Sequence, residues 1–135
     1  MKTDIRQTVG KPEALKQGAM DLCANRCAYA FDEAKERGIL AGLGARQLPQ
    51  LVKAVLEILD NSDDGNLRVG AAELLGSITP TGMKDQVIAT LEEYADDTFV
   101  RDYAYAGAQG DEDDMRSVGE CAKASISELR SRNRR

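Results

Sequence analysis

Two short stretches of this chain repeat one another at a spacing that few architectures share. Asp63-Asp64-Gly65-Asn66-Leu67-Arg68 opens one Ala/Leu-rich segment and Asp96-Asp97-Thr98-Phe99-Val100-Arg101 opens another, with the two arginines 33 residues apart. Each is preceded by an amphipathic stretch carrying Leu-Glu, at Leu56-Glu57 and at Leu91-Glu92. A fixed period in the thirties belongs to stacked helical pairs, in which each unit buries its apolar face only against its neighbours. The expected fold is all-α, a short α-α superhelix of helical pairs with about six helices in a single domain.

The rest of the chain fits that frame. Residues 1–11 read as a short N-terminal arm, and Pro12 as the first turn of an N-terminal helix over 12–37. Its apolar face carries Leu15, Ala19, Leu22/Cys23, Cys27, Ala30/Phe31 and Ala34. Gly38 is expected to stop it, and the glycine-rich run to Gly44 to form a tight connection with at most one helical turn. Pro49 opens the next helix, with Leu51/Val52, Val55/Leu56 and Leu59 inward. Asn66 is the expected N-cap of its partner, which buries Leu67, Ala71, Leu74/Leu75 and Ile78. After the break at Thr79-Pro80-Thr81-Gly82 the pairing recurs, with Val87/Ile88, Leu91 and Tyr94/Ala95, then Val100, Tyr103/Ala104 and Gly107/Ala108. A final helix over 111–130 shows Val118, Cys121/Ala122, Ser125/Ile126 and Leu129, and the basic tail 131–135 is expected to fray.

The segment Asp63 to Ile78 resembles HEAT repeats, including the HEAT-like repeats of phycobilisome lyases. In those repeats the second helix begins with an acidic turn, then Val-Arg, small residues and Leu-Gly; here the pattern reads Leu67-Arg68, Ala71-Ala72 and Leu75-Gly76. The second copy keeps Val100-Arg101 and Ala104, with Ala108 where the family has Leu. Residues 48–109 carry the resemblance as two HEAT-like repeats. Met115-Arg116 echoes the motif too close to Arg101 for a full repeat, so the last helix reads as a cap. The resemblance implies that Arg68 and Arg101 are structural, each bonding acidic or carbonyl groups of a neighbouring turn.

Composition excludes several chemistries. The 135 residues include no His and three Cys. Without His the usual general acid/base, the commonest metal ligand and the Ser-His and Cys-His catalytic pairs are all missing. An odd number of cysteines argues against a disulfide framework and fits a reducing compartment. No apolar run approaches the ~20 residues that span a bilayer, and the N-terminus lacks the apolar stretch of a secretion signal. The expectation is a cytoplasmic protein with no membrane contact and no cofactor.

Charge is unevenly spread. Residues 57–114 hold three Lys/Arg against fifteen Asp/Glu, a local balance of −12, although the whole chain carries only −5. That block coincides with the two repeat turns, disfavours nucleic acid there and favours a protein partner with a basic surface. The expected binding residues are Glu57, Asp60, Asp63, Asp64, Asp96, Asp97, Asp111 and Asp113. Tyr105 falls off the apolar stripe and joins them as an interface anchor. The function this supports is a non-catalytic interaction module: an adaptor, regulatory subunit, assembly chaperone or immunity-type inhibitor.

Three other readings stand beside it. Cys23 and Cys27 share a helix face and, with Cys121, could offer thiolates to a soft metal or act in redox sensing, against the plainer reading as core residues. Asp60 to Leu67 resembles the first eight positions of an EF-hand loop, but Ala71 stands where the bidentate Glu is needed. The resemblance also brings in lyase-type HEAT-like enzymes and deoxyhypusine hydroxylase, a HEAT-repeat enzyme. The di-iron site of the latter needs His-Glu pairs that a chain without His cannot reproduce.

Overall fold

The computed structural model of this chain describes residues 2–27, 31–100 and 117–132, with backbone alone for 2–12 and 45. Among the described residues the fold is all-α. The helices are α1 (Lys2–Cys27), α2 (Glu33–Leu43), α3 (Leu48–Asn61), α4 (Gly65–Ile78), α5 (Lys84–Glu93) and α6 (Val118–Arg132). Single 3₁₀ turns at Ala45–Gln47 and Thr81–Met83 precede α3 and α5. The one extended pairing among these residues is an isolated antiparallel bridge between Val100 and Ser117. None of the described helices is long and apolar enough to cross a membrane.

The core follows the 3.6-residue periodicity. Leu51, Val52, Val55, Leu56 and Leu59 of α3 are buried, as are Ala71, Leu74, Leu75 and Ile78 of α4, and Val87, Ile88 and Leu91 of α5. Val118, Cys121, Ala122, Ile126 and Leu129 of α6 join them, with Ala19, Leu22 and Cys23 of α1. Helix α4 lies between α1 and α6, α3 packs on both α4 and α1, and α5 packs on α6.

Small residues set how closely α4 is approached. A Cβ added at Gly70 would lie 1.9 Å from the carbonyl oxygen of Cys23, so the backbones of α1 and α4 nearly touch there. At Gly76 the same construction meets Ser125 Oγ at 2.8 Å and its Cα at 3.0 Å, which marks the α4–α6 crossing. The Ser125 hydroxyl donates across that crossing to the Ala72 carbonyl at 2.5 Å.

The N-terminal half differs from the sequence expectation in three ways. Helix α1 begins at Lys2, where an arm over 1–11 was expected, so Pro12 lies inside the helix rather than at its start. The single helix expected over 12–37 is two, because α1 ends at Cys27 and Asp32 starts another. Asp32 sits in an extended conformation and accepts from the Lys35 N–H, while its own N–H and carbonyl are held by the Asn25 side-chain amide. Gly38 does not stop α2, which continues through Gly42; Gly44, at φ 80°, ends it with its N–H on the Leu40 carbonyl.

Two further boundaries move. The N-cap of α4 is Asp64, whose carboxylate accepts from the Asn66 N–H at 2.9 Å, so the expected cap Asn66 is the second helical residue. Helix α6 starts at Val118 rather than 111, through a capping box: Ser117 Oγ accepts from the Glu120 N–H at 3.0 Å, and Glu120 Oε1 accepts from the Ser117 N–H at 3.2 Å.

Candidate functional site

The two acidic turns of the repeat signature meet. Asp63 and Asp64 lie between α3 and α4, and Asp96 and Asp97 follow α5. Arg68, on the first turn of α4, joins them: its Nε donates to the Leu59 carbonyl at 3.0 Å and its Nη2 to Asp97 Oδ2 at 2.7 Å. Its guanidinium also lies 5.4 Å from the centroid of the Tyr94 ring, within cation–π range. The Tyr94 hydroxyl donates to Asp60 Oδ1, a second link between the same turns. One arginine thus closes the C-terminus of α3 and anchors the turn that follows α5.

The electrostatics follow from those contacts. Partial burial works to raise the Asp97 pKa, but the Phe99 N–H at 2.9 Å and then the Arg68 guanidinium outweigh it, and the net shift is downward. The Tyr94 phenol is pushed up to about 12 by burial and by its bond to the negative Asp60, against a smaller opposing pull from Arg68.

Arg68→Ala is expected to lower stability by about 1.5–3 kcal/mol, the range for hydrogen bonds to charged groups. Because the folded pKa of Asp97 is depressed, its share is complete above the ordinary aspartate range of ~4 and is lost as pH falls through the folded value. Melts of the two proteins should therefore differ most near neutrality and converge in acid. A constant gap across that window would show that Asp97 contributes nothing through Arg68.

The acidic residues expected to bind a partner divide into two groups. Glu57, Asp60, Asp63, Asp64 and Asp96 are exposed, and Asp97 is partly buried. Asp97, Asp60 and Asp64 have internal partners in Arg68, Tyr94 and the Asn66 N–H. Asp97 is therefore a strut of the corner and not a freely presented carboxylate. Arg101, Tyr105, Asp111 and Asp113 lie outside the described residues.

Sequence reasoning missed two arginines. Arg26 of α1 makes a bidentate pair with Glu36 of α2 at 2.7 and 3.0 Å, reaches Glu73 of α4 at 3.3 Å and donates to Ser77 Oγ at 2.8 Å. Burial works to lower its pKa, but Glu36 and then Glu73 outweigh that and hold it above its usual value. Arg132 of α6, expected in a fraying tail, donates to the carbonyls of Thr79, Gly76 and Ser77 at 3.0, 2.6 and 3.1 Å. It caps the carbonyl end of α4, where a cation is also favoured by the helix dipole. Arg26 finds Glu36 10 residues on, across the break between α1 and α2, but reaches Ser77 51 residues away, and Arg132 reaches the Gly76 carbonyl from 56 residues away, so sequence spacing shows neither network.

Cys23, Cys27 and Cys121 are all buried thiols, and no three potential ligands cluster among the described residues. Burial, with a smaller contribution from neighbouring Cys27, pushes the Cys23 thiol up to about 12, which disfavours the thiolate that metal binding or redox exchange requires. In the EF-hand-like loop the oxygens serve the fold: Asp60 accepts from Tyr94, Ser62 Oγ from the Asp64 N–H, and Asp64 from the Asn66 N–H.

Beside this corner, α1, α3 and the start of α4 border a solvent-open groove of about 230 Å³. Met20, Ala54, Ile58 and Leu67 supply its apolar surface, and Lys16, Glu57, Asn61 and Ser62 its polar edge. Comparison with known families, curated proteins and solved structures finds no match to this chain.

Proposed function

We propose that this chain is a non-catalytic protein-binding module of HEAT-like helical pairs that presents an acidic edge to a partner with a basic surface. Helices α3 and α4 make one pair in this reading, α5 opens the next, and α6 closes the stack. The observation that carries it is the corner built by Arg68 and Tyr94. Two turns distant in sequence are bonded together there, leaving Glu57, Asp63 and Asp96 exposed around them. A rigid scaffold holding like charges in a fixed array suits recognition: steering accelerates encounter and imposes salt sensitivity more than it adds affinity. The buried thiols fit a reducing, cytoplasmic setting. An adaptor, a regulatory subunit, an assembly chaperone or an immunity-type inhibitor would each use such an edge.

The test separates folding from binding. Asp63→Lys with Asp96→Lys reverses two exposed carboxylates that have no role in the core, and thermal melts should move by only about 0.5 kcal/mol, as surface changes do. Affinity capture from source lysate at low salt should return a basic protein with the native chain. The same protein should be missing with the reversed variant and after a moderate salt wash. Equal capture by both proteins would sink the acidic-edge reading.

A further inference from the structure

We infer that the groove between α1, α3 and the start of α4 is an anchor pocket for a basic peptide segment of the partner, one that seats an apolar side chain while its arginines or lysines lie over the adjoining carboxylates. This rests on the acidic-edge reading and names the chemistry it would recognise.

Three observations converge. Met20 is 37% exposed, one of three large hydrophobics the fold leaves open among the described residues. Phe99 covers Gly65 and Phe31 lies 4.9 Å from the Arg26 guanidinium, so each of those rings has an internal role. Met20 instead lines the groove with Ala54, Ile58 and Leu67. Methionine is also the side chain best able to adapt to an incoming apolar group.

Size decides the occupant's class. At about 230 Å³ the groove is smaller than the ~300–1,000 Å³ of pockets that enclose cofactors or drug-sized ligands. It is open rather than enclosed, and its residues come from three helices and a turn, a setting that suits one or two anchor side chains of a peptide.

Charge decides the rest. Glu57 and Ser62 stand on its edge, and Asp60, Asp63 and Asp64 flank Ser62 in the turn. All four carboxylates are exposed. Lys16 also lines the groove, so the negative field is strongest on the side of the α3–α4 turn, and the segment's cations belong there. An acidic segment or a bare polyanion would meet repulsion at the same place.

The experiment uses the full chain, methyl-labelled at methionine, and two short synthetic peptides. Both are rich in arginine; one has a central leucine pair and the other a serine pair. The leucine peptide is expected to bind about tenfold more tightly than the serine peptide, the gain from burying a side chain or two on an open surface. It should also move the Met20 methyl resonance, assigned through Met20→Leu, while the serine peptide leaves it in place. Ala54→Leu fills the groove without altering charge, and should abolish the preference for leucine while preserving the shared, salt-sensitive component. Asp63→Lys with Asp96→Lys should weaken both peptides alike.

If the two peptides bind native protein equally, with Met20 unmoved, the anchor pocket is wrong and the acidic edge survives. If neither binds in a salt-sensitive way, both readings fall. If sedimentation shows the native chain associating with itself and Ala54→Leu not doing so, the occupant is a second copy and the peptide proposal is overturned.

Discussion

Gly70→Ala is expected to lower stability by about 3 kcal/mol or more, a fall of roughly 10 °C or more in Tm, the far end of what overpacking costs. The new methyl carbon would start 1.9 Å from the carbonyl oxygen of Cys23, 2.7 Å from its carbonyl carbon and 3.1 Å from its Cα. Every one of those atoms is backbone, so no rotamer change relieves the clash. Helices α1 and α4 would have to part, loosening Ala19, Leu22 and Cys23 from Val69, Leu74 and the other core residues they pack among. Alanine's better helix propensity returns only ~1 kcal/mol.

Gly38→Ala is the matched control, because a Cβ there meets nothing within 4 Å and the residue lies inside α2. It should raise stability by roughly 0.5–1 kcal/mol. Gly76→Ala should fall between the two, since part of what it meets is the Ser125 hydroxyl, which can rotate at the expense of its bond to Ala72. A Gly70→Ala protein that melts with or above the native chain would show that α1 does not cross α4 there.

Where side-chain periodicity carries the information, the chain is legible. Helices α3, α4 and α5 lie close to where their apolar spacing puts them, since Leu51 to Leu59, Ala71 to Ile78 and Val87 to Leu91 each face inward at helical intervals. The break between α1 and α2 is hidden for a physical reason. Leu22, Cys23 and Cys27 keep the helical rhythm up to the boundary, and Ala34 resumes it in phase, so the hydrophobic pattern runs straight across. The available signal was Asp32 followed by Glu33 and Glu36, an N-cap and an acidic first turn. The capping box Ser117-Val118-Gly119-Glu120 was equally visible but was masked by the acidic run before it.

The candidate site was legible in part. The repeat spacing identified the turns that carry Asp63, Asp64, Asp96 and Asp97, and the resemblance to HEAT repeats implied that Arg68 bonds within the fold. Neither could separate Asp97, committed to Arg68, from Asp96, which stays exposed, because adjacent residues of one type differ only in the direction the backbone gives them. The groove beside Met20 was out of reach as well, since it forms where α1 meets α3 and the start of α4, through contacts of long sequence separation.

Arg26 tests how far this fold depends on a buried charge. Its side chain is 14% exposed and that of Glu36 10%, and the pair ties α1 to α2 while Glu73 and Ser77 bring in α4. Arg26→Ala is expected to cost about 3–5 kcal/mol, because Glu36 would stay buried with its charge uncompensated. The bond itself contributes less than that figure suggests, since taking both ions out of water offsets much of their attraction. Replacing both members, Arg26→Met with Glu36→Met, should therefore recover most of the loss and return to within about 1–2 kcal/mol of the native chain. Denaturant unfolding of Arg26→Met, Glu36→Met and the double variant gives the coupling directly. Additive losses, with the double variant weaker than either single one, would mean that Arg26 and Glu36 act separately and that α2 is held to α1 by Asn25 and apolar packing alone.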